Sequence, residues 1–177
     1  MNSLCQILPH LCVFLVFPSD VPHQLHPTWS QNGQTIKPAV DVHLSEDGRR
    51  GFLSFETPHT KWNSRVYGMW KAEIADLNSD GFHEVVLGVW TRVKRHDEPL
   101  PARAIWVLEW RDGGLREVWR GSAMALPLKD FRVEENTVWT TECKAKTCFK
   151  VENRWTGFGF MPVSRTRDPS RDRPAAW

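Results

Sequence analysis

From about residue 36 the chain is written in short runs in which apolar and polar residues alternate, each run closed by turn residues. Alternation with a period of two sends successive side chains to opposite faces of a strand, so a chain of this texture folds into antiparallel sheets rather than helices. Ala39 to Leu44 stops at Ser45-Glu46-Asp47-Gly48, and Gly51 to Phe55 returns from that turn. Val66 to Leu77 runs into an acidic loop, and Val85 to Val93 leaves it. Ala104 to Trp110 and Leu115 to Trp119 are joined by Arg111-Asp112-Gly113-Gly114, a hairpin signal. Phe131 to Val133 and Thr137 to Thr141 flank Glu134-Glu135-Asn136, and Phe149 to Val151 and Gly157 to Val163 close the pattern. The best helical candidate, Ala123 to Lys129, is interrupted by Pro127. The runs from Val66 to Trp119 make one unit of about 55 residues, and the shorter runs on either side read as parts of similar units. The expected fold is all-β, built from small antiparallel four-stranded sheets of the β-propeller kind, in an incomplete or fragmentary propeller, since the strands counted fill fewer blades than a closed ring needs.

Hydrophobic residues at 41% and charged residues at 25% belong to a globular chain with a real core. A formal net charge of +2 gives no overall field for nucleic acid, so no nucleic-acid partner is expected. Four segments follow from composition. Residues 1–20 hold an apolar run from Leu4 to Phe17, interrupted by Gln6, Pro9 and His10 and too short to span a bilayer; it reads as a secretory signal, or else as a misplaced start or an ordinary buried strand. Residues 21–35, rich in Pro, His and Gln, read as an extended arm, 36–163 as the sheet domain and 164–177 as a disordered tail. No transmembrane segment is expected.

The most informative stretch is Asp76-Leu77-Asn78-Ser79-Asp80-Gly81-Phe82-His83-Glu84. Asp76, Asn78 and Asp80 alternate, which sets their oxygens on one side of a loop; Gly81 lets the backbone turn. Phe82 offers its carbonyl, and Glu84 stands where the next strand begins. This is an oxygen-only donor set suited to Ca2+, which takes six to eight oxygen ligands. An EF-hand would need a bidentate acid at its twelfth position, where Leu87 stands, and helices on both sides, where the flanks read as strands. The competing reading is an acidic Asx turn without a metal. His83 is expected to face solvent.

The stretch from Glu73 to Gly88 resembles the FG-GAP/VCBS repeat, whose core pattern is Asp-x-Asp/Asn-x-Asp-Gly-x-x-Asp/Glu followed by an apolar strand. That repeat builds blades of integrin-α-type β-propellers and of many bacterial surface and secreted proteins. The resemblance covers about sixteen residues, and it implies that Asp76, Asn78, Asp80 and Glu84 are calcium ligands. It implies a calcium-stabilised binding or scaffolding protein of the cell envelope or exterior, with a protein or carbohydrate ligand. The alternatives are a propeller enzyme or enzyme-associated module acting on polysaccharide and, for location, the cytoplasm.

No Gly-x-Ser-x-Gly elbow, phosphate-binding glycine loop or His-x-x-x-His pair occurs, so no catalytic residue is nominated. Cys143 and Cys148 are even in number and closely spaced; they read either as a hairpin disulfide in an oxidising compartment or as two thiols in a reducing one. Ten Trp against one Tyr call for large buried surfaces. Trp106 and Trp110 share a strand face and read as core, whereas Trp62 and Trp155, with polar neighbours, are the better candidates for exposure. Arg92, Lys94, Arg95 and His96 read as a solvated basic loop.

Overall fold

The structure is a computed structural model that describes residues 23–57, 60–93, 101–121 and 124–171. The apolar leader and the end of the tail lie outside the described residues. Among the described residues there is no α-helix, and none is long and apolar enough to cross a membrane.

The chain is all-β. The first sheet holds β1 (His23–Leu25), β4 (Val40–Leu44), β5 (Gly51–Thr57) and β6 (Thr60–Asn63), while the short hairpin of β2 (Trp29–Gln31) and β3 (Gln34–Ile36) is inserted between β1 and β4. The second runs in chain order through β7 (Met69–Ala75), β8 (Glu84–Thr91), β9 (Ala102–Arg111) and β10 (Gly114–Arg120). The third does the same through β11 (Leu128–Glu134), β12 (Thr137–Lys144), β13 (Thr147–Trp155) and β14 (Phe160–Arg167). All pairings are antiparallel, and the sheets form an open, propeller-like stack with no closure into a barrel.

Two apolar layers hold the stack. Leu53, Phe55, Leu87, Leu108 and Trp110 lie between the first and second sheets, and Val86, Ile105, Val107, Leu128, Phe131 and Val138 between the second and third. The middle sheet is therefore covered on both faces. That explains β8, where the residues from Glu84 to Val89 are all buried and an almost continuous apolar run replaces alternation. The faces turned outward carry polar pairs beside half-buried Phe52 and Trp139. On the first sheet, Gln24 bonds Asp41 at 2.9 Å and His43 bonds Ser54 at 2.8 Å; on the third, Arg132 pairs with Glu134 and Arg154 with Glu152. Polar outer faces are what terminal layers of a stacked repeat carry.

Two segments differ from expectation. The expected arm is structured over its described part, 23–35: Asn32 and Gly33 both adopt positive φ, 52° and 74°, the pairing a tight hairpin demands, and Trp29 is buried. The tail at 164–177 is ordered at its start, since β14 extends to Arg167 and a 3-10 turn covers Pro169–Arg171. An edge strand draws its order from backbone bonds to β13 and leaves its side chains in water, so polar composition there does not signal disorder.

Candidate functional site

The acidic loop joins β7 to β8, at one end of the middle sheet. Ser79 and Gly81 take the left-handed conformation, with φ of 61° and 87°, and curl the loop on itself. Its side-chain oxygens face the loop's own amides. Asp80 N–H donates to Asp76 Oδ1 and Asn78 Oδ1, both at 3.0 Å, Gly81 N–H to Asp76 Oδ2 at 2.9 Å, and Phe82 N–H to Asp80 Oδ1 at 2.8 Å. Asn78 and Asp80 are exposed and Asp76 is half-buried. Glu84 is different: it is only 3% exposed, and its Oε2 accepts the Leu77 N–H at 2.8 Å. Its carboxyl is pushed up to about 7, first by burial and also by the charges of Asp80 and Asp76, with the Leu77 amide opposing.

The loop thus gathers carboxylate and amide oxygens into one turn, with a buried glutamate at its base. Among the described residues no three His, Cys, Asp or Glu side chains form a metal-holding group by themselves. A cation would have to draw on the Asn78 amide and the Phe82 carbonyl as well. These are oxygen donors, the chemistry that Ca2+ and not a soft metal prefers.

His83 does not face solvent. It is clasped by the arm of the first sheet: its N–H donates to Thr28 O at 2.9 Å, Thr28 N–H donates to its Nδ1 at 3.0 Å, and Trp29 Nε1–H donates to its carbonyl at 2.9 Å. This junction was missed in the sequence, and the signal that could have found it is Asn32-Gly33, which marks the hairpin that carries Trp29 inward.

Trp29 stacks on Trp110 with ring centroids 4.6 Å apart and planes 3° from parallel. Trp106 is half-buried against the same layer, with the Arg120 guanidinium 5.0 Å from its ring centre. Trp62 and Trp155 are not free platforms either. Trp62 packs on Phe55 and Trp110, and Trp155 on Trp119 and Phe160, because the neighbours that count lie across the sheets rather than along the chain. Cys143 and Cys148 face each other in the β12–β13 register and are joined by a disulfide, with Cα atoms 4.1 Å apart. Lys94, Arg95 and His96 lie outside the described residues; Arg92 is exposed.

Comparison with family models, with curated proteins and with solved structures finds no match.

Proposed function

We propose that this chain is a calcium-stabilised binding or scaffolding module of the FG-GAP/VCBS type, working outside the cytoplasm. The observation that carries the reading is the 76–84 loop: alternating oxygen side chains turned inward, at the tight connection between the first two strands of a four-stranded antiparallel sheet. Asp76, Asn78, Asp80, the Phe82 carbonyl and Glu84 would hold the ion. Calcium there supplies positive charge that relieves the repulsion among the three carboxylates and holds Glu84 ionised. The chain's own part is mechanical. Through His83 the loop is fastened to Thr28 and Trp29, so a rigid loop also rigidifies the junction between the first two sheets. The cross-strand disulfide supports an oxidising compartment.

Calorimetric titration with calcium is the test, beside Asp80→Ala and a magnesium control. Binding at millimolar calcium or below, lost in Asp80→Ala and weak for magnesium, is the expected result. An absence of heat at millimolar calcium, with a melting temperature that neither calcium nor chelator moves, would leave the loop an acidic turn only.

A further inference from the structure

At the end of the middle sheet opposite the acidic loop lies a cleft of about 500 Å³, lined by Arg49, Arg50, Val66, Tyr67, Gly68, Trp90, Arg92 and Pro101. The topology places them together. The turn after β4 carries Arg49 and Arg50; Gly51 and Tyr67 exchange backbone bonds at 3.0 and 2.8 Å. Trp90, at the end of β8, donates its backbone N–H to Gly68 O at 2.6 Å and its indole N–H to Gly48 O at 2.8 Å. The cleft therefore straddles the first and second sheets on a frame tied together by these bonds. Its volume falls in the range of small-molecule sites.

Arg49, Arg50 and Arg92 are exposed, and among the described residues none of their guanidinium groups is paired with a carboxylate. Five other described arginines are paired with carboxylates: Arg65 and Arg120 with Glu117, Arg111 with Glu109, Arg132 with Glu134 and Arg154 with Glu152. Glu46 and Asp47, close to Arg49 in sequence, do not line the cleft; Asp47 accepts Ser45 Oγ–H and Arg49 N–H, and its charge also acts on Arg49 and Arg50, while Asp97 and Glu98, between Arg92 and Pro101, lie outside the described residues. The seven residues of β7 separate this end from the acidic loop, roughly 23 Å at 3.3 Å per residue. That exceeds the screening length in physiological salt, about 8 Å, so the acidic end does not neutralise the basic one.

We infer that this cleft binds an ester oxyanion, sulfate or phosphate, borne on a ring-shaped body. Three arginines offer planar pairs of donors, more than the two oxygens of a carboxylate need but matched to the three terminal oxygens of a tetrahedral ester. Val66, Tyr67, Trp90 and Pro101 give the apolar wall against which a ring packs. The inference names a ligand class for a binding module, but it does not rest on the calcium reading: the two sites share no residue.

The experiment is calorimetric titration of the full chain with glucose 6-sulfate and glucose 6-phosphate, with glucose and with inorganic sulfate and phosphate as references. Saturable binding of at least one ester is expected, tighter than that of the bare ion and weakening as salt rises; which ester binds better names its source. Arg92→Gln and Arg49→Gln should each weaken it about tenfold or more, the usual weight of a charged hydrogen bond, with Arg92→Lys recovering part of the loss. All these side chains are exposed, so the variants should melt as the parent does. Asp80→Ala should lose calcium and keep the ester, which separates failure of one reading from failure of the other. Ester affinity unchanged in Arg49→Gln and Arg92→Gln, glucose binding as tightly as its esters, or no ester binding at all would each overturn the inference.

Discussion

Trp29 donates its indole N–H to the carbonyl of His83 at 2.9 Å, and this bond ties the inserted hairpin of the first sheet to the acidic loop of the second. Trp29 is 1% exposed and also stacks on Trp110, so one side chain holds the apolar layer and the loop together. Trp29→Ala should cost about 3–5 kcal/mol, the range for a buried large aromatic. Trp29→Phe keeps most of the ring and should cost less, about 1 kcal/mol for the lost bond together with the smaller ring's packing loss. Urea denaturation of the two variants measures both, and a Trp29→Phe variant as stable as the parent would show that the bond to His83 contributes nothing.

The second and third sheets pack closely at Gly88. A Cβ there would stand 2.6 Å from Trp70 Cε2 and 2.9 Å from Phe131 Cε1, closer than carbon atoms approach. Trp70 and Phe131 are themselves in edge-on contact, with centroids 5.5 Å apart, and Arg103 lies over the Trp70 ring at 4.7 Å, which leaves Trp70 little room to retreat. Gly88→Ala should therefore destabilise by about 1–3 kcal/mol, the usual cost of overpacking. Thermal melting reports it, and an unchanged midpoint would mean that the interface between these sheets is slack.

The strand pattern was legible where one face of a sheet is wet and the other dry, as in β5, and where a turn announces itself, as at Asp112-Gly113 between β9 and β10. The acidic loop was legible because its alternating oxygens are consecutive in the chain. What the sequence concealed is what depends on distant partners. Trp62 and Trp155 have polar neighbours along the strand and aromatic neighbours across it, and only the latter decide their burial. Arg49, Arg50 and Arg92 come from two separate turns and form a cleft only after the sheets stack. The start of the tail looked disordered because an edge strand carries its order in its backbone.

The disulfide closes a short loop, with Cys143 and Cys148 five residues apart. Chain entropy for so small a ring amounts to about 2 kcal/mol, less than for a long one. Its pair lies within a hairpin that β11 and β14 already flank, so reduction should lower the melting temperature without unfolding the protein at ambient temperature. Melting with and without reductant, and thiol counting on the unreduced protein, check this. Two reactive thiols in protein taken from its source would place it in a reducing compartment.

Glu84 gives the acidic loop a pH signature in chelated protein. Its folded carboxyl titrates at about 7, against an ordinary value of 4.5, because burial disfavours its charge. Below pH 4.5 the proton is bound in both states. Between 4.5 and 7 the folded protein keeps a proton that the unfolded chain has lost, so stability falls as pH rises through this window and levels off above it. The loss is of order 1–3 kcal/mol, with screening by solvent at the loop's open side taking it toward the lower figure. Glu84→Gln should remove this dependence and be more stable than the parent above neutral pH when calcium is chelated. Calcium should reverse the trend, since it requires the ionised carboxylate and is released as Glu84 takes up a proton. Melting temperatures of the parent and Glu84→Gln across this pH range, with chelator and with calcium, give the four curves needed. A chelated parent whose stability does not fall with pH relative to Glu84→Gln would mean that Glu84 is solvated rather than buried, and the base of the proposed calcium site would be lost with it.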